Sequence, residues 1–420
     1  SITANTSSSA PIFLKATGSI YVFASNSLTT AGGPVTLWAR SAALNSSSTE
    51  GRIQLQNSVV VTSNGGPITL AGSSSIDGNG RPIGYALSNT ASRGGVGLGL
   101  SAVGNGTTAQ LLSGGGAIQV RGKSIIDGSW GVAIYPGVSI NSGAGRILID
   151  GWATGTLDGV AIDSTSTAKT TITSAAVADA TTPAISITGD CDSTSTATTE
   201  QRGIWMGTAG LTISATAGGD VLLTGTASAT HSTNPGAIYI QGSDILASTG
   251  YVKLDGGTVG VVTSISAGTT NLGALSGGTA TGAVTIVGDR ISGAGSTTIK
   301  TTGAVVQESS STSFAGAYSS STLNVTAGAA SLRIGKSTNT SDITLSAGTV
   351  SVVGNIDITG GAITNNASLT TTGTGDVTIT GTGAYTGSGA IVAKGNVVIN
   401  ALSASPTGAI TSNGTLGIAV

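Results

Sequence analysis

What this chain lacks narrows its chemistry before any pattern is considered. In 420 residues there is one cysteine, Cys191, and one histidine, His231. A single cysteine forbids an internal disulfide, so the fold must rest on packing alone. A Ser/Thr-rich chain so poor in cysteine and lysine fits a bacterial extracellular protein better than a small disulfide-framed one. Charged residues make up 8% of the chain and aromatic residues 3%. With 16 basic and 18 acidic side chains and a net charge of −2, no basic stripe is available to neutralise a phosphate backbone, and nucleic acid is excluded as a partner class. The aliphatic runs are far shorter than the roughly 20 residues of a membrane-crossing helix, so no membrane-spanning segment is expected. A transmembrane barrel would carry aromatic girdles, which this composition does not supply. The chain opens on Ser1 without a charged, apolar leader, as expected if a leader has been removed or if this is an excerpt of a longer chain.

Glycine is what the chain has in quantity: 67 residues, against 8 prolines. There is no strict three-residue period, which excludes collagen, and the recurrent Val, Ile and Thr at low charge argue against disorder. The glycines instead bracket a seven-residue pattern in which two aliphatics alternate with other residues. It occurs ten times, among them GPITLAG (66–72), GAIQVRG (116–122), GRILIDG (145–151), GDVLLTG (219–225), GAVTIVG (282–288) and GDVTITG (375–381). Alternating aliphatics line one side of a strand, and glycine opens the backbone at each end. One such strand cannot bury its face alone, whereas stacked copies can. The pattern therefore predicts a parallel β-solenoid with Ile118, Val120, Ile147, Ile149, Val284, Ile286, Val377 and Ile379 pointing inward.

A repeat running from end to end argues for one elongated body over 1–420, with no proline-rich linker or charge run to mark a boundary. Residues 1–40 are the most apolar and aromatic part and are expected to act as a cap or docking segment. The pattern weakens between about 160 and 235 into Ser/Thr/Ala-rich sequence, the candidate for a protruding loop or thickened rung. In the last third, strand starts at Gly354, Gly375 and Gly395 are 21 and 20 residues apart, which suggests roughly 20 residues per turn and about 20 rungs in all. Sustained 3.6-residue periodicity is missing, so essentially no helix is expected.

Gly-x-Ile-x-Leu strands between Ser/Thr/Gly/Asn turns, as in SDITLSAGTVSVVGNIDITGGAI (341–363) and TGTGDVTITGTG (372–383), resemble the repeat regions of filamentous-haemagglutinin-like exoproteins and autotransporter passengers. The resemblance implies an all-β, right-handed parallel β-helix rod, an outer-membrane exporter as partner, and work in adhesion, cell contact or matrix building.

Sites of chemistry are few. Ile-Asp-Gly turns at Asp77 and Asp127 are similar to those of pectin-degrading β-helices, but glycoside hydrolysis needs paired carboxyls, and His231 is the sole histidine. Corner-turn roles are expected for both aspartates. GDCDSTS (189–195) sets Asp190 and Asp192 beside Cys191; with so few soft ligands it is expected to be a polar loop with an incidental thiol. Asp220, Asp289 and Asp376 follow glycines without the register of calcium-binding nonapeptides. GVGLGL (95–100) lacks the following helix of a phosphate loop. Trp130, Trp152, Trp205, Tyr135, Tyr239 and Tyr251 would form a sugar-stacking surface only if their rungs align, and are expected instead to be core or rung-stacking aromatics. Thr-rich strands at 170–173, 368–375 and 377–383 are expected to make hydroxyl ladders rather than an ice-binding array.

The expected function is thus a non-enzymatic secreted or cell-surface rod, extracellular or on the bacterial surface, with no cofactor or metal and with a cell-surface or glycan receptor as partner. The alternatives are a homopolymeric extracellular filament, a polysaccharide-active β-helix enzyme and an ice-binding protein. An uncovered end rung offers unpaired backbone groups to another chain. Phe13, Tyr21 and Phe23 near the start, with Ile418 and Val420 at the end, are therefore the expected edge for end-to-end contact between copies.

Overall fold

A computed structural model describes all residues except 1–3, 7–8, 41–50, 93, 101–108, 180, 193–200, 208–209, 229–235, 264–267 and 276–277. The chain divides into two compact units, 1–233 and 234–420. Each is a parallel β-solenoid, and no helix occurs among the described residues.

In the first unit the chain winds through three strands per turn. Ile118–Ser124, Val132–Ile134 and Ser139–Asn141 are followed one turn later by Ile147–Ala153, Val160–Ile162 and Thr171–Ser174, each pair parallel and in register. The first strand of each turn belongs to one sheet, the heptad sheet; the other two belong to a companion sheet. The heptad sheet holds seven such strands in this unit, from Ile12–Lys15 to Val221–Ala227. The weakly patterned segment from 160 carries strands of both sheets, so the winding continues through it.

The second unit has the same plan with eight heptad-sheet strands, from Val252–Asp255 to Leu416–Ala419. In two of its turns the companion strands fuse. Tyr318–Ala329 pairs with both Ile343–Leu345 and Thr349–Val352.

The core follows the two-residue period. Ile118, Val120, Ile147, Ile149, Val284, Ile286, Val377 and Ile379 are all buried, each on the inner side of its strand. Eight of the ten heptads lie in the heptad sheet; those at 236–242 and 348–354 lie in the companion sheet, which alternates in the same way. The bracketing glycines are required by close approach. A Cβ on Gly145 would lie 2.0 Å from the carbonyl oxygen of Gly116 one rung below, and one on Gly151 would lie 2.1 Å from that of Gly159. Successive corners touch backbone to backbone, and no side chain fits between them.

The expected 20-residue turn holds only near the C-terminal end. Successive heptad-sheet partners are 20 residues apart from Val377 to Val397 and 19 from Val397 to Leu416. In the first unit they are 29 apart from Ile118 to Ile147 and 50 from Ile68 to Ile118. The described heptad-sheet strands number 15, so the estimate of about 20 rungs is too high. The physical reason is that stacking constrains the strands and not the corners, and residues added at a corner lengthen a turn without adding a rung.

One corner departs from parallel pairing. Ile68–Ile76 runs past the sheet and returns antiparallel as Pro82–Gly84. The hairpin turn is closed by Asp77, whose carboxylate accepts the N–H groups of Asn79 and Arg81 at 2.9 and 2.8 Å. It covers the outer face of the sheet at Trp38, which is only 7% exposed and donates its indole N–H to the Ser73 carbonyl at 2.6 Å.

Candidate functional site

Beside that hairpin, the outer face of the heptad sheet gathers charged and aromatic side chains in register. Gly122, Gly151 and Gly189 stack at one inward position of three successive strands. The residues on either side of each point outward by alternation. Arg121 therefore faces Asp150 across the strands and Asp150 faces Thr188, while on the other side of the glycines Lys123 faces Trp152 and Trp152 faces Asp190. Thr226 extends the second row.

The hairpin supplies the wall. Its return strand brings Tyr85 over the patch, where the phenol donates to Asp150 with oxygen distances of 3.1 and 3.0 Å. The Arg121 guanidinium donates to the Ile83 carbonyl, and its Nε lies 3.6 Å from Asp150, an ion pair too long to be a hydrogen bond. Lys123 sits with its ammonium 3.2 Å from the centroid of the Trp152 ring. The Tyr85 and Trp152 rings meet edge to face at 6.1 Å. Thr226 donates its hydroxyl to Asp190. Trp152 Nε1–H is shielded from solvent and has no hydrogen-bond partner.

Burial governs the protonation of this patch. It raises the Asp150 carboxyl above its ordinary value, against the opposing pull of Arg121 and Tyr85. Burial also raises Asp190, with Asp192 adding to the effect. It lowers Lys123, which Asp192 partly offsets. Tyr85 is pushed up to about 12 by burial first and by the Asp150 charge second. The arrangement offers donors and acceptors side by side over an aromatic floor. It is poorly set for acid–base catalysis, because Asp150 and Asp190 are each engaged by a protein donor.

The other sequence candidates lie apart from it. Asp77 closes the hairpin turn, and Asp127 is exposed in a separate corner. His231 lies outside the described residues. Cys191 points into the core with its sulfur 3.4 Å from the Leu157 carbonyl, so it cannot converge with its outward neighbour Asp190; Asp192 is exposed. Asp289 is buried and accepts the N–H and hydroxyl of Ser311 at 2.7 and 2.5 Å. Asp376 joins a corner ladder in the second unit: the N–H of Asp376 donates to the Asn355 side chain, that of Asn396 to Asp376, and that of Thr415 to Asn396, at 3.0, 2.6 and 2.8 Å. Asp220 lies between the strands Thr212–Ala215 and Val221–Ala227. Among the described residues no group of three or more His, Cys, Asp or Glu is placed to hold a metal.

GVGLGL forms the strand Val96–Leu100, parallel to a neighbour on each side, and not a phosphate loop. Of the six aromatics considered together, Trp152 alone belongs to the patch. Trp130 and Tyr135 meet edge to face at 6.4 Å, Trp205 stands on the companion sheet in register with Ala161, and Tyr239 is buried. Thr170 and Thr371 are buried at corners, while Thr364 and Thr386 form a hydroxyl contact of 3.2 Å between rungs.

Phe13 and Tyr21 stand on lateral faces: Phe13 packs edge to face on Trp38 at 5.9 Å, and the Tyr21 hydroxyl accepts from Arg52 at 2.7 Å. Phe23 is exposed beyond its strand. Ile418 occupies the core-facing position opposite Ile399 and is half exposed; Val420 is exposed.

Sequence reasoning missed Tyr85, Arg121, Lys123 and Asp150. The available signal was the residue on either side of the second heptad glycine, Arg-Gly-Lys, Asp-Gly-Trp and Thr-Gly-Asp in successive copies. Comparison of the chain with protein families, with curated proteins and with solved structures finds no match.

Proposed function

We propose that this chain is a non-enzymatic structural solenoid of a secreted or bacterial cell-surface protein and that it works by adhesion, cell contact or matrix formation. The observation that carries this reading is the outer patch of the first unit. It combines charged and aromatic side chains on a rigid stacked scaffold, yet each of its two buried carboxylates is already held by a protein donor. Such a surface suits recognition better than turnover, which would require a carboxyl free to give or take a proton. The repeat grammar, similar to that of filamentous-haemagglutinin-like exoproteins, supports export across an outer membrane.

Beads coated with the purified chain should be retained on bacterial or host cell surfaces above beads coated with an unrelated protein. Equal retention rejects adhesion. In a polysaccharide panel no product should appear, and release of oligosaccharides would reject the non-enzymatic half of the reading.

A further inference from the structure

We infer that the outer face of the heptad sheet between the hairpin and the strand Ile185–Cys191 is a binding site for a neutral oligosaccharide, with Trp152, Lys123 and Asp190 as its contact residues and Tyr85, Arg121 and Asp150 as the group that positions them. This rests on the adhesion reading only in taking the glycan to be a cell-surface one.

The argument begins with charge. Arg121 and Lys123 stand against Asp150 and Asp190 on neighbouring strands, and Asp192 is exposed next to them. An anionic sugar would meet carboxylates already raised by burial, and a strongly cationic one would meet the guanidinium and ammonium. A polyhydroxylated neutral ligand meets neither penalty, because each of its hydroxyls both donates and accepts. The second step is the hydrogen-bond inventory. The Trp152 N–H has no acceptor, and a buried donor without a partner is costly unless something supplies one. The Lys123 ammonium lies over a ring, where the aromatic face leaves its N–H groups free for an oxygen. Asp190 accepts from Thr226 and keeps lone pairs for a pair of adjacent sugar hydroxyls.

The third step is rigidity. Tyr85, Arg121 and Asp150 tie the hairpin wall to the sheet floor through the phenol and guanidinium contacts. The apolar flank of this wall includes Ile76 and Ile83, both exposed, which suits the C–H faces of a sugar ring. A preformed surface with aromatic and apolar area and a few convergent polar groups is the usual form of a small-ligand site.

The test uses the full chain with soluble short oligosaccharides from neutral glucans, mannans and galactans, and with oligogalacturonate as the anionic probe, read by calorimetry and by tryptophan fluorescence. At least one neutral series should bind. Trp152→Ala and Asp190→Asn should each weaken binding by about tenfold or more, whereas Trp205→Ala, on the other sheet, should leave it unchanged. Lys123→Gln provides a variant that spares the ring if Trp152→Ala fails to fold, and it should weaken binding as well. Absence of binding by every neutral series, preference for oligogalacturonate, or unchanged affinity in Asp190→Asn and Lys123→Gln would overturn the site. Glycan binding that depends on these residues without retention of coated beads on cells would uphold the site and reject the adhesion reading. Retention on cells that survives all three substitutions, with no glycan bound, would do the reverse.

Discussion

The two units share one stacking rule and spend their corners differently. In the first, a turn takes between 23 residues, from Ile12 to Val35, and 50, from Ile68 to Ile118, and the excess includes the hairpin that covers Trp38 and holds Tyr85 over Asp150. In the second, turns shorten to 19 residues. Corners there are regular enough for Asn355, Asp376 and Asn396 to form a continuous ladder, each side chain accepting the N–H at the same position of the next turn. The first unit has a ladder too, but an interior one. Thr30, Ser63, Ser113 and Ser142 are fully buried at successive corners, and each hydroxyl donates to the carbonyl of the glycine three residues on. A solenoid can therefore clamp its turns from inside when the corners vary and from outside when they do not. Recognition chemistry collects where the corners vary.

The strongest test of this contrast targets what the units have in common. Gly145→Val and Gly375→Val each force a side chain to within 2.0 Å of a carbonyl oxygen one rung below, where the backbone cannot yield. Each should cost about 3 kcal/mol or more. Hydrogen exchange should show the loss confined to neighbouring turns, as expected when stability is a sum over adjacent repeats. A much smaller cost in one unit would mean that its corners are not in backbone contact.

Excision of residues 74–82, with a short Gly-Ser linker, comes next. It should expose Trp38 and cost the first unit about 2 kcal/mol, visible as a red shift in tryptophan emission, while exchange in the second unit stays unchanged. If Trp38 remained shielded, the hairpin would not be its cover.

The ladders should differ in kind. Ser142→Ala leaves the buried carbonyl of Gly145 short of a donor and should cost about 1–2 kcal/mol. Asn396→Ala leaves the more exposed N–H of Thr415 to water and should cost about 1 kcal/mol or less. Local exchange at the two corners measures both, and equal costs would remove the distinction between inner and outer clamps.

The smallest effect concerns Tyr85. Its phenol is raised from 10.0 to about 12, so the native state holds this proton more tightly than the unfolded chain does. The stabilisation is fully present below pH 10 and is lost as pH rises through about 12. Ultraviolet titration should find this tyrosine late, and Asp150→Asn should bring it earlier without restoring 10, because burial contributes more than the carboxylate. An unchanged titration would dissociate Tyr85 from Asp150.

The sequence by itself determined the strand grammar, the inner faces and the absence of helix, because alternation with a two-residue period and glycine at corners are local properties that each strand carries alone. Ile118, Val120, Val377 and Ile379 could be assigned inward from seven residues at a time. A turn length could be taken only from the last third, where corners are uniform. What lies opposite what was decided by the tertiary structure. Asp150 meets Arg121 from 29 residues away and Tyr85 from 65, and between them lie corners whose lengths follow no period. Trp152 was visible as an aromatic, but the Lys123 ammonium over its ring depends on the register of two strands, which is set by the stacked glycines between the rows. The outer patch is a property of stacking, and stacking has no signature in any one strand.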